Sequence, residues 1–116
     1  MQIRFANTKL AKLCNAERKA VQELGPVGGK RLMQRMEDIA SARNLATLIL
    51  LPGRTHPMRR GVRANEEQWT MDLHNPMRLV FVPDHAPLPY REDGGLDLLQ
   101  VTAIRVLEVT DTHDDA

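Results

Sequence analysis

Between residues 51 and 60 the chain reads Leu-Pro-Gly-Arg-Thr-His-Pro-Met-Arg-Arg. One imidazole, His56, and three guanidiniums, Arg54, Arg59 and Arg60, share this run with two prolines and a glycine. An imidazole moves protons near neutral pH, and a guanidinium stays charged and grips phosphate with a planar fork. The run therefore offers groups suited to a phosphate and a proton. It is ill suited to a regular element, because proline removes a backbone donor and pushes the residue before it towards extended geometry. It is ill suited to the core too, since unpaired arginine is rarely buried. The spacing predicts a loop or edge segment that holds these groups out to a ligand.

The elements around it must come from a small chain. Its 116 residues fit one domain, 1–116, with one modest core. Hydrophobic residues make up 42% and charged residues 27%, which excludes a disordered composition. Cys14 is the only cysteine, so no internal disulfide and no cysteine-based metal site is available. On a helix it reads as a small apolar residue rather than a nucleophile. No histidines and carboxylates have zinc-ligand spacing, so no metal and no cofactor is expected. No apolar run is long enough to span a membrane, and Met-Gln-Ile-Arg-Phe-Ala at the start lacks the apolar core of a signal peptide. The expectation is a cytoplasmic protein with no membrane partner.

The net charge of +1 hides an asymmetry. Residues 1–63 carry 13 Lys or Arg against 4 Asp or Glu, and residues 64–116 carry 3 against 11. A basic half fits a polyanion, because cation–phosphate contacts supply most non-specific nucleic-acid affinity. It fits equally the ordinary lysines and arginines of helix surfaces.

Ile3 and Phe5 alternate with Gln2 and Arg4 and predict a short strand. Asn7 or Thr8 can cap a helix that turns Leu10, Leu13 and Cys14 inward. Asn15 suggests a break and a new cap, and the next helical piece runs to Leu24, burying Ala20, Val21 and Leu24. Gly25 ends it and Pro26 opens a third piece reaching about Arg43. There Leu32, Met36, Ile39 and Ala40 form an apolar stripe, with Lys30, Arg31, Arg35 and Arg43 on the remaining surface. Asn44 is a plausible cap, and the apolar run Leu45 to Leu51 leads into the basic loop. Beyond it, Trp69, Met71 and Leu73 alternate with polar residues. His74-Asn75-Pro76-Met77 has turn chemistry, and Arg78 to Val82 completes a hairpin. Asp84 to Leu96, with two prolines, two glycines and three acids, reads as a long exposed loop. Leu98 to Val109 reads as the longest strand, apolar in both phases, which predicts burial on both faces or a bulge near Ala103. A strand, then helices, then three strands predict an α+β fold, with the N-terminal helices packed on a mainly antiparallel twisted sheet.

Three blocks in this order resemble the RelE/ParE superfamily of type II toxins, most closely its HigB-like killer proteins. They are Leu51-Pro52-Gly53-Arg54-Thr55-His56 with Pro57 and the arginines after it, Trp69 to Phe81 with Asn75-Pro76-Met77-Arg78-Leu79-Val80-Phe81 at its heart, and Val109-Thr110-Asp111-Thr112-His113. The resemblance covers nearly the whole chain. It implies a compact RelE-like domain that cleaves mRNA without metal, usually on the ribosome, and so inhibits translation. It also implies a cognate helix-turn-helix, HigA-like antitoxin, with operator DNA bound only through that antitoxin. Carried over position by position, the family's catalytic set falls on His56, Arg78, Asp111 and His113, with Arg59 near the phosphate where a lysine is common. Thr112 stands where the family often has tyrosine.

Metal-free RNA cleavage needs a base for the ribose 2′-hydroxyl, cations for the charge growing on phosphorus, and an acid for the leaving 5′-oxygen. His56 and His113 suit the proton transfers in either order. Arg78 and Arg59 suit the phosphate, with Arg54 and Arg60 beside them, and Asp111 can orient a histidine or share the base role. Each residue also has a bland reading. Arg78 can pair with Asp72 across the hairpin, Arg54 can sit in a surface ion pair, and Trp69 reads as core. Two other functions compete: a ParE-like toxin that acts on DNA gyrase without cleavage, and an RNA-binding module.

Overall fold

In the computed structural model the described residues are 1–58 and 67–112. Alternation at the N-terminus gives β1 (Gln2–Phe5), and Asn7 then starts α1 (Thr8–Asn15) by accepting the Leu10 N–H on its side-chain oxygen at 2.8 Å. Asn15 does not cap the next helix. Its amide donates back to the Ala11 carbonyl, and Ala16 precedes α2 (Glu17–Ser41) with no side-chain cap. Within α2 the chain breaks at Gly25, whose φ of +81° suits glycine, and Pro26 restarts the helix with its fixed φ. The helix ends at Ser41, and the N-terminal ammonium donates to the carbonyls of Ile39, Ala40 and Ala42 at that end. Asn44 caps α3 (Leu45–Ile49) through Thr47.

The sheet runs in the order β1-β5-β4-β3-β2, with β2 (His56–Pro57), β3 (Trp69–Asp72), β4 (Met77–Pro83) and β5 (Ala103–Asp111). β2, β3, β4 and β5 pair antiparallel in turn, while β1 lies parallel to β5, so the sheet is mixed. The expected long strand from Leu98 is corrected: Leu98–Gln100 is a 3₁₀ turn capped by Asp97, and β5 begins at Ala103. The bulge also moves. Val80 faces Glu108 but Phe81 faces Val106, which leaves Leu107 as the extra residue on β5. The turn removes Leu98 and Leu99 from the strand, and the slip changes the phase between Val106 and Val109, which together leave this stretch apolar in both phases.

The helices cover one face of the sheet. Leu10, Leu13, Cys14, Ala20, Leu32, Met36, Ile39, Leu45 and Leu48 meet Trp69, Met71, Leu73, Leu79, Phe81, Ile104 and Val106 in one core. Trp69 stacks on Phe81 with ring centres 6.5 Å apart. Two side chains depart from the expected stripe: Ala40 is exposed and Arg35 is buried. The other phase of the strands, including Thr70, Asp72, Arg78, Val80, Glu108 and Thr110, belongs to the face away from the helices. No helix among the described residues is long and apolar enough to cross a membrane.

Candidate functional site

The basic loop is tied to the end of β3. The Asp72 N–H donates to the Gly53 carbonyl at 2.7 Å, which sets the loop against the sheet before the chain enters β2. Gly53 has φ +121°, and a Cβ there would lie 2.7 Å from the Arg35 Nε. Arg54 is next with φ +51°, an unusual conformation for a side-chain-bearing residue. Two adjacent left-handed residues turn the Arg54 side chain back towards Asp72 while the chain goes on to His56.

Asp72 is the hub of the cluster. Its Oδ1 accepts from the Arg78 Nε at 2.8 Å, and its Oδ2 accepts from Arg54 at 3.4 Å. Its backbone carbonyl accepts from the Arg35 Nε at 2.9 Å, and Arg35 also pairs with Asp38 at 3.2 Å. One carboxylate thus stands between two guanidiniums and cancels one of their two charges. Arg54 remains largely exposed, with 71% of its side chain accessible, whereas Arg78 keeps 18%. Arg54, Asp72, Leu73, Asn75, Met77 and Arg78 line a cleft of about 240 Å³ at this end of the sheet.

His56 belongs to the same face. It pairs with Thr70, which pairs with Val80, while Asp72 and Arg78 are the next same-face pair along the hairpin. Two strand spacings across and two residues along separate the Cα atoms of His56 and Arg78 by about 12 Å, a gap that the lengths of the two side chains cover. Of the expected loop or edge segment, His56 and Pro57 take the edge form, as a short strand at the border of the sheet. His56 Nδ1 lies 3.0 Å from the Pro57 carbonyl. A carbonyl only accepts, so in this contact Nδ1 is the donor, and Nε2 is the nitrogen turned away from it.

The C-terminal end of β5 is divided between the two faces. Thr110 stands opposite Arg78, and Asp111 stands opposite Met77. Alternation therefore sets Asp111 on the helix side, away from the Arg78 side chain. Thr112 returns to the Arg78 side, almost fully buried, with its hydroxyl 3.5 Å from an Arg78 nitrogen, the outer limit of a hydrogen bond. Arg59, Arg60 and His113 lie outside the described residues.

Of the expected set, then, Arg54, Arg78 and His56 share one face, and Asp111 does not join them by register. Sequence reasoning reaches Asp72 only as a structural partner of Arg78 and leaves Arg35 on the helix surface. A signal for Asp72 is present, because a tight turn at His74–Met77 sets 72 opposite 78. For Arg35 there is none, since its partner is a carbonyl 37 residues away. Sequence reasoning misses Thr70 too. Its hydroxyl is fully buried on the His56 face without a hydrogen-bond partner. Among the described residues no three His, Cys, Asp or Glu side chains gather as a metal site. Comparison with protein-family models, with curated proteins and with solved structures finds no match to this chain.

Proposed function

We propose that this chain is a RelE/ParE-like toxin of the HigB-like type, a metal-independent endoribonuclease that cuts mRNA on the ribosome and is held in check by a helix-turn-helix antitoxin. The observation that carries the reading is the pair of guanidiniums bracketing Asp72, on the same sheet face as an imidazole whose Nδ1 meets the Pro57 carbonyl. The α+β order agrees with what the sequence resemblance implies.

In this mechanism the scissile phosphate docks at Arg54 and Arg78. Asp72 holds the Arg78 Nε and so fixes the orientation of the guanidinium, whose side chain lines the cleft. His56 Nε2 takes the proton of the 2′-hydroxyl, whose oxygen attacks phosphorus. The bond to the 5′-oxygen breaks, giving a 2′,3′-cyclic phosphate and a 5′-hydroxyl, and the leaving oxygen takes a proton from His113, the acid that the resemblance supplies. The arginines neutralise charge on the phosphorane as it forms.

The test is cleavage of ribosome-bound message by folded His56→Gln, Arg78→Ala and His113→Gln proteins, with growth arrest scored in parallel. Arg78→Ala loses about a hundredfold in rate, near 3 kcal/mol of transition-state stabilisation. If all three variants cut and arrest growth like the parent, the site is wrong. If none cuts and all still arrest growth, the gyrase-directed reading replaces this one. Co-expression with the neighbouring gene product tests the partner: a chain that still runs at monomer size contradicts the antitoxin.

A further inference from the structure

Behind the Asp72 cluster lies a second groove that the proposed chemistry does not use. It has a volume of about 420 Å³ and is lined by Val27, Lys30, Arg31, Gln34 and Arg35, all from the second half of α2. Residues three and four apart share a helix face, so these five form one continuous strip. Lys30 and Arg31 are exposed, and among the described residues no carboxylate lines the groove with them. Glu37 and Asp38 follow one turn beyond the groove without lining it, and Asp38 is already engaged, accepting from Gln34 at 2.9 Å on one oxygen and from Arg35 at 3.2 Å on the other. Val27 is half exposed and forms an apolar wall.

Arg35 joins this groove to the cleft. It lines the groove while its Nε holds the Asp72 carbonyl, and Asp72 lines the cleft with Arg54 and Arg78. The β3–β4 turn closes the same side, with the His74 Cβ 3.7 Å from where a Cβ of Gly28 on α2 would stand. Five cations, Lys30, Arg31, Arg35, Arg54 and Arg78, therefore run from the helix to the sheet face against the two carboxylates of Asp38 and Asp72.

We propose that the α2 groove is a flanking subsite for single-stranded RNA, taking nucleotides next to the linkage held by Arg54 and Arg78. The inference rests on the ribonuclease reading. Lys30 and the Arg31 fork pair with backbone phosphates, and Val27 and the flat face of Arg31 accept a base without reading its edge. The strip therefore adds affinity for length rather than for sequence.

The experiment measures binding of uncleavable 2′-O-methyl RNA, labelled at one end, in strands of about twelve and about four nucleotides over a salt series. Because Lys30 and Arg31 are exposed, a Lys30→Gln/Arg31→Gln protein keeps its fold, checked by circular dichroism. It is expected to bind the long strand about tenfold more weakly, with the slope of log K against log salt shallower by about 1.4. It binds the short strand like the parent, whereas Arg54→Ala/Arg78→Ala weakens both strands. If the glutamine variant holds the long strand with the parental slope, or loses both strands equally, the flanking subsite is wrong while the ribonuclease reading stands. A parent that binds neither strand sinks the subsite, while the ribonuclease reading, which sets the cut on the ribosome, is decided by the cleavage of ribosome-bound message.

Discussion

Asp72 and Arg78 stand directly opposite each other across the β3–β4 hairpin, and the Arg78 Nε lies 2.8 Å from Asp72 Oδ1. The pair is only partly solvated, with 26% and 18% of the two side chains exposed. It serves two ends, since it staples the hairpin and fixes the guanidinium that faces the cleft. A double-mutant cycle with Asp72→Ala and Arg78→Ala, read by urea denaturation, is expected to give a coupling of about 1 kcal/mol. A coupling near zero would mean that the contact holds nothing in place.

Gly53 controls the loop. Alanine there meets both an unfavourable φ and the Arg35 guanidinium. Gly53→Ala is expected to lower stability by about 2 kcal/mol, seen as a lower urea midpoint with unchanged slope. Cleavage falls as well, because Arg54 and His56 are carried by the displaced segment. Parental stability would show that the loop moves freely.

Arg54→Ala separates binding from folding. The side chain is exposed, so stability stays within about 0.5 kcal/mol of the parent. Cleavage drops by about tenfold, because Asp72 then cancels the charge of Arg78 without a second cation beside it. The measurement is the single-turnover rate on ribosome-bound message at matched protein fold.

Cys14 is almost fully buried, and burial pushes its thiol up to about 11 from an ordinary value of 9.0. The unfolded chain gives up this proton at lower pH than the folded one. Stability from this group is thus fully present below pH 9 and is lost as pH rises towards 11. The loss amounts to about 2 to 3 kcal/mol. Cys14→Ala is expected to flatten that part of the stability–pH curve relative to the parent, measured by denaturation between these values. The folded parent also resists thiol reagents at neutral pH.

Phe81 is fully buried against Trp69, the only tryptophan. Phe81→Ala is expected to cost about 3 to 5 kcal/mol, and tryptophan emission reports the transition directly.

The sequence by itself determined the local elements. Alternation marked β1 and the β3–β4 hairpin, helical spacing marked the inward faces of α1 and α2, and Gly25-Pro26, Asn7 and Asn44 marked breaks and caps. These signals come from backbone sterics and side-chain period within a few residues, so no distant partner is needed to read them. Tertiary structure decided the rest. It laid β1 parallel beside β5 from the other end of the chain, and it assigned the extra residue on β5 to Leu107. It buried Arg35 against the Asp72 carbonyl and brought Arg54 to the Asp72 carboxylate, although the partners stand 37 and 18 residues apart. An arginine three or four positions from another on a helix has the same local pattern whether it faces water or a carbonyl. Only the packing of α2 against the end of β3 distinguishes Arg35 from its solvated neighbours Lys30 and Arg31, because burial of a charge is permitted only where partners await it.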